Sequence, residues 1–428
     1  MPPSARPTRR DLLKAGAAAA AGVMLPGAFD GRSWGVNSGR EKLPVAAVVT
    51  VYHQMSHADV LVGKILEGWQ QDGGPGPDLR LASLYVDQIG EGDLSRGLAE
   101  KHGFRLARTI DEAVTLGTDQ VQVAGVLSIG EHGDYPTVPE TGQVMYPRRR
   151  FFDEIAAAFR RCGRAVPTFN DKHLSYRWED AKHMFDTARA MDFPLIAGSS
   201  VPVAWRYPQL QLPRDSEIEA ALTIGYSGLE SYGFHTLEAH QAMIERRLGG
   251  ETGLASVQAV TGENVALAEA AGDWSGALFA AALRQMPGSP SDSRDWISNP
   301  ASAAFLLRHR DGLKSACIMA NGLAAEFAFA AKLVGREEPV ATWFKLQPGA
   351  PFGHFAYLLR AIEHTIHTGQ AAYPAERTLL TSGALDRVMQ SQAQGGKLLE
   401  TPELEVVYEA ADWPYANHPD SPLTLPSD

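Results

Sequence analysis

Pro44-Val-Ala-Ala-Val-Val-Thr-Val-Tyr52 is an apolar, β-branched run with no polar alternation. A strand of this kind is stable only where both of its faces are covered, as in a parallel sheet flanked by helices. The following sequence meets that demand. A turn over His53–Ser56 leads into a helix from about His57 to Gln70, and Gly73–Pro77 reads as a loop. A second strand spans Leu79–Val86 and ends at Asp87. A helix over Leu94–His102, a short strand over Leu106–Arg108 and a short helix over Ile110–Leu116 come next. A strand over Val121–Ile129 closes at Gly130–Pro136, and a helix covers Arg148–Arg161. Alternation of this type means a mostly parallel sheet with helices on both faces.

Val166-Pro-Thr-Phe-Asn-Asp-Lys-His-Leu-Ser175 continues the pattern as a strand ending in Asn170–His173, with Ser175 as N-cap of a helix over Tyr176–Met191. Ligands of open α/β sheets collect at the carboxyl ends of strands. Lys172, between Asp171 and His173, is therefore a candidate acid/base group. The alternative is a solvated surface loop.

The N-terminus has a different character. Arg9-Arg10 precedes a small, apolar run from Ala15 to Leu25, shorter than the about 20 residues of a membrane span. This reads as a Tat export signal, with the Tat machinery as partner, and residues 1–40 stand apart from the fold as signal and linker. No A-x-A site marks the cleavage point, so a periplasmic, extracytoplasmic or signal-anchored location all stay open. The Tat route carries folded passengers, which accommodates a cofactor loaded before export. No long apolar run follows the signal. The remaining length calls for two domains. A net charge of −11 argues against nucleic acid or an anionic membrane surface as partner. Cys162 and Cys317, the only two cysteines, read as buried free thiols.

Several segments, in order, carry a resemblance. They are Asp93-Leu-Ser-Arg-Gly-Leu-Ala-Glu-Lys-His-Gly103, Thr109-Ile-Asp-Glu-Ala113, Ala124–Ile129, Asp171-Lys172-His173, and Ser231-Tyr-Gly-Phe-His-Thr-Leu-Glu238. Phe355–His364, Tyr373–Thr378 and Gly383–Asp386 follow. Together they resemble the Gfo/Idh/MocA family (glucose-fructose oxidoreductase and inositol dehydrogenase) over roughly residues 42–395. The resemblance implies a Rossmann-like domain at 41–198, and at 199–395 an α+β domain with a large, mostly antiparallel open sheet. A C-terminal arm at 396–428 and a homo-oligomer complete the expectation. It also implies a nicotinamide cofactor, NAD or NADP, and a sugar- or cyclitol-like alcohol as substrate. On the family's motifs Lys172 is retained, while its Glu has become Asp171 and its Pro His173. His235 falls on the catalytic histidine. Ser231 replaces a carboxylate for which the neighbouring Glu230 is the substitute. With such a cofactor His235 would take the hydroxyl proton and Lys172 would stabilise the alkoxide, oriented by Asp171 or Glu230.

The chain departs from the family at the dinucleotide turn. A Gly-x-Gly-x-x-Gly turn lets backbone approach the pyrophosphate, whereas Thr50-Val-Tyr-His-Gln-Met-Ser-His57 contains no glycine. The groups that remain to meet a dinucleotide are Tyr52, His53 and Ser56, then Asp87, then Gly130 and His132. Asp87 suits a ribose hydroxyl and favours NAD over NADP; a strand-end cap is its plain alternative.

Thirteen histidines also raise a metal reading. His53, His132, His173 and His235 would converge if the strand ends share one cleft. No His-Glu-x-x-His or paired-cysteine signature accompanies them. The cluster Tyr146–Phe152 reads as a solvated helix start, with an anionic group as the alternative it could meet, and Trp178, Trp205 and Tyr207 as residues of the domain junction, with stacking on a sugar ring as the alternative. Three function classes follow: an exported NAD(P)-linked oxidoreductase, a lyase, epimerase or hydrolase on a carbohydrate-like substrate, and a cofactor-free carbohydrate-binding protein.

Overall fold

The computed structural model describes residues 41–288, 294–347 and 349–425, so the twin-arginine segment lies outside the described residues. At its centre is β1 (Leu43–Val49), whose residues Val45 to Val49 are all fully buried. The strand pairs in parallel with β2 (Leu79–Val86) on one side and β4 (Gly125–Ile129) on the other. With β3 (Arg105–Leu106), β5 (Thr168–Asp171) and β6 (Leu195–Gly198) it forms an all-parallel sheet of order β3-β2-β1-β4-β5-β6. This is the doubly wound order.

The period of two along β1 divides its side chains between two cores. Ala46 and Val48 pack with Phe151, Phe152 and Ile155 of α4 (Arg148–Cys162) and with Ile110 of α3 (Ile110–Thr115). Val45, Ala47 and Val49 pack with Leu61 of α1 (His57–Glu67) and with Leu358 and Ile362 of a helix from far along the chain (His354–Thr368). Helix α2 (Ser95–His102) lies at the β3 edge, and α5 (Trp178–Ala190) follows β5.

The second sheet has eight strands. They are β7 (Trp205–Tyr207), β8 (Ile218–Gly225), β9 (Leu254–Val260), β10 (Ala303–His309), β11 (Lys314–Met319), β12 (Phe327–Leu333), β13 (Val340–Lys345) and β14 (Leu399–Glu400), in the order β14-β9-β10-β11-β8-β12-β13-β7. Only the β11–β8 pair is parallel. One face carries α6 (Ser231–Ile244) and, after the His354–Thr368 helix α9, α10 (Glu376–Ala393). The other face is covered by α7 (Glu263–Ala270) and α8 (Gly276–Leu283), whose Trp274, Leu278 and Phe279 region packs on Leu222, Ile224, Leu306 and Ile318.

Four local expectations need correction. Ser175 is not the N-cap of α5: the helix starts at Trp178, and its N–H donates to Asp386 Oδ2 of α10 at 2.9 Å, a cap supplied from 208 residues away. Strand β4 begins at Gly125 rather than Val121, because Ala124 N donates to Pro44 O before the ladder starts. Cys162 is half-buried, while Cys317 is buried; both are free. Arg148 is not solvated but fully buried, because the Glu131 carboxylate and the His173 imidazole accept from it at the sheet edge. Trp178 and Trp205 are buried in the two cores, and Tyr207 packs beside Trp343.

Candidate functional site

The strand order reverses between β1 and β4, and the crevice outside their carboxyl ends is where such sheets take ligands. The two turns are joined by Thr50 Oγ1 donating to Glu131 O at 2.6 Å. Three non-glycine residues at these strand ends adopt left-handed backbone: Met55 (φ 65), His132 (φ 67) and Lys172 (φ 65). Such conformations cost of order 1–3 kcal/mol each and gather where function holds them.

Imidazoles fill the turn where the family has glycines. The His132 ring lies 5.7 Å from that of His53 and 5.4 Å from that of His57. His57 Nδ1 meets Asp171 Oδ2 at 2.6 Å. Ser56 caps α1 by accepting from Asp59 N. Tyr52 Oη and His132 Nε2 are buried without a partner. Burial, then the neighbouring His57, lowers the His132 imidazole to about 4.

A second group lies at the end of β5. Lys172 Nζ is 2.7 Å from His235 Nε2 and 3.5 Å from Glu131 Oε1. His235 Nδ1 in turn meets Ser199 Oγ at 2.5 Å, and that oxygen accepts from Val201 N. Burial, reinforced by the Lys172 charge, holds His235 well below the usual histidine range. A neutral ring with hydrogen on Nδ1 satisfies both contacts, because Nε2 then accepts from lysine and Nδ1 donates to serine. Glu131 is buried, which opposes ionisation, yet Lys172 and Arg148 together hold its carboxyl well below the usual range. Arg148 donates to Glu131 Oε2 at 2.6 Å and to His173 Nε2 at 2.9 Å. A cavity of about 480 Å³ opens here, with Glu131, Tyr146, Lys172, His173, Glu230 and Gln392 in its wall.

The candidates from the sequence thus separate. Lys172 and His235 meet. Asp171 turns to His57, and Glu230 accepts from Val144 N while its other oxygen lies 3.9 Å from His173. Burial raises the Glu230 carboxyl. Asp87 accepts from Tyr85 Oη (2.8 Å), Tyr135 Oη (2.7 Å) and Arg150 Nη2 (2.5 Å). Gln88 makes two bonds to the Asp134 backbone, fastening the loop after β4 across the end of β2. Gly130 is required by packing, since a Cβ there would lie 2.7 Å from Arg148 Cγ. The four histidines named for a metal take separate partners: the His132 ring lies against that of His53 across the two turns, His173 is bound to Arg148 and His235 to Lys172. Among the described residues, no three His, Cys, Asp or Glu side chains form a group able to hold a metal ion. Sequence reasoning missed Glu131, Arg148 and Ser199. Glu131 stood in the turn closing β4, but Ser199 carried no local signal.

Comparison with solved structures agrees with this fold. GenD2 from gentamicin A biosynthesis, solved in complex with NAD, superposes with a TM-score of 0.54 at 14% identity, over 84% of this chain and 97% of that one. The chain shares the fold of that protein. Two further proteins of that fold are scyllo-inositol dehydrogenase from Lactobacillus casei (TM-score 0.51, 8% identity, 84% and 98% covered) and a myo-inositol dehydrogenase from Corynebacterium glutamicum (TM-score 0.51, 14% identity, 84% and 98% covered). Residues 6–26 match the TAT (twin-arginine translocation) pathway signal sequence family. No curated protein matches the chain by sequence. No helix of the described residues is long and apolar enough to cross a membrane.

Proposed function

We propose that this chain is an exported, NAD(P)-linked oxidoreductase that acts on a secondary alcohol of a sugar or cyclitol, with Lys172 and His235 as its acid/base pair. The observation that carries the reading is the 2.7 Å contact between Lys172 Nζ and His235 Nε2 beside a cavity of about 480 Å³. The shared fold with inositol dehydrogenases and with GenD2, which was solved with NAD, supports the cofactor class. The signal at residues 6–26 supports an extracytoplasmic destination.

The residues at the switch point suit a dinucleotide through side chains rather than bare backbone. Tyr52 Oη and His132 Nε2 are buried and unpartnered, so both have bonding capacity left for a ligand. Together with His53, His57 and the N-terminus of α1 they would hold the pyrophosphate, imidazole and hydroxyl groups standing in for the missing glycines. Asp87 and Arg150 would meet the adenosine ribose, a sugar hydroxyl replacing one of the phenols on Asp87. When bound, the nicotinamide ring supplies the hydride acceptor.

A substrate hydroxyl enters between the lysine and the histidine. Lys172 donates to its oxygen, and the hydroxyl proton points at His235 Nε2. As the carbon gives up hydride, His235 takes that proton and the Lys172 charge stabilises the developing alkoxide. Ser199 holds the ring by accepting from Nδ1–H, which fixes the tautomer in which Nε2 is basic. Glu131 and Arg148 fix the charge balance around Lys172 without touching the reacting carbon.

The test is direct. Protein purified folded and then denatured should release NAD or NADP, or bind added NAD with quenching of tryptophan fluorescence, and should reduce it with a panel of cyclitols and aldoses. Absence of both release and binding would overturn the cofactor, and with it the oxidoreductase.

A further inference from the structure

A second, narrow space of about 20 Å³ lies beside the C-terminal arm and shares no residue with the cleft described above. Arg206, Arg246, Arg377, Glu245, Tyr373 and Trp413 are in its wall. A space of roughly 10–15 Å³ on this measure admits one water-sized occupant, so a single small particle fits and a phosphate does not.

The charges around it do not balance. Arg377 is paired with Glu245 through two bonds, and Glu245 also accepts from Tyr408 Oη at 2.9 Å, so that carboxylate is fully engaged. Arg246 donates to Leu212 O, Ala411 O and the exposed Asp412. Arg206, only 6% exposed, donates to the carbonyls of Leu210 and Pro202 and has no carboxylate partner among the described residues. Its Nε is buried with no acceptor, and the Tyr373 hydroxyl, on a residue 3% exposed, is likewise unpartnered. Nε can only donate, and a phenol can donate beside it. A buried guanidinium with neither counter-charge nor acceptor is costly. Burial, and after it Arg377 and Arg246 against the opposing Tyr415 and Glu245, pulls this guanidinium down to about 10.

We propose that this cavity binds a single halide ion, chloride in the protein's surroundings, held by Arg206 Nε and Tyr373 Oη. Water would accept from both donors but would leave the excess positive charge in place. The ion fastens the C-terminal arm. Asn417 brackets the Arg206 backbone with bonds of 2.8 and 2.9 Å, Ala416 N donates to Val203 O, and the Tyr415 ring lies 4.1 Å from the Arg206 guanidinium. The segment so fastened begins two residues after Ser199, the partner of His235.

The experiment is a melting series of the purified protein in sodium chloride or bromide against sodium methanesulfonate at equal ionic strength. Halide should raise Tm by roughly 2–4 °C at saturating concentration, and both Tyr373→Phe and Arg206→Met should abolish the rise. Crystals grown in bromide should show an anomalous peak in the cavity. Equal Tm in all salts, a halide response that survives Tyr373→Phe, or a water in place of the bromide peak would each overturn the proposal. Should Arg206→Met fail to fold, Tyr373→Phe and the bromide peak decide it.

Discussion

Lys172 Nζ and His235 Nε2, 63 residues apart in sequence, lie 2.7 Å from each other where the end of β5 faces α6. Neither side chain is exposed, and the histidine is held neutral by burial and by the lysine charge. In the proposed reaction His235 receives the proton while Lys172 stabilises the oxygen left behind. Replacing Lys172 by Met or His235 by Gln is expected to lower kcat about 10²–10⁴-fold. Far-UV circular dichroism should be unchanged. A variant with wild-type turnover would remove that residue from the chemistry.

In the proposed reaction Ser199, 2.5 Å from His235 Nδ1, acts through His235 rather than on substrate. Ser199→Ala should reduce kcat by roughly tenfold and move the acidic limb of the pH–rate profile, with KM nearly constant and Ser199→Thr restoring most of the loss. An unchanged pH profile would reduce Ser199 to a packing residue.

Arg148 and Glu131 form a buried pair at 2.6 Å. Arg148→Met leaves the Glu131 carboxylate with Lys172 alone and should cost about 3–5 kcal/mol in urea unfolding. Adding Glu131→Gln should recover part of that loss. A double variant no more stable than Arg148→Met would show that the two residues are not coupled.

His132 gives a pH dependence of known sign. Its imidazole is lowered to about 4 in the folded protein, against about 6.5 when unfolded. Between these values the unfolded chain holds the extra proton, so its contribution to stability is full above 6.5 and is lost as pH falls towards 4. The slope is about 1.4 kcal/mol per pH unit at most. The buried carboxyls of Glu230 and Glu238, raised by burial, work in the opposite direction, so the group must be isolated by substitution. His132→Asn, which tolerates the left-handed backbone, should flatten the stability curve between pH 4 and 6.5. Parallel curves for the two proteins would show that His132 titrates normally.

The α5 cap separates local from long-range information. Asp386→Ala should cost about 1–2 kcal/mol, because Trp178 N–H loses its acceptor in a buried setting. Ser175→Ala should cost less. The reverse ranking would restore Ser175 as the cap.

The sequence alone determined the parallel first sheet, because an apolar run such as Pro44–Tyr52 has no stable place except between two helical layers. It also determined the second, mostly antiparallel sheet through its resemblance to a known family, and it singled out Lys172 and His235 by motif. It misread whatever depended on partners remote in sequence. Arg148 looked solvated until Glu131 and His173 were found beside it, and Ser175 looked like a cap until Asp386 was found in its place. The histidines illustrate the same limit. Only the tertiary structure decided that His132, from the turn after β4, packs against His53 and His57 of the turn after β1, while His173 and His235 answer to other charges. The physical reason is that hydrophobic period is a local property read within a few residues, whereas hydrogen-bond partners and desolvation are set by whichever segments the packed sheets bring together.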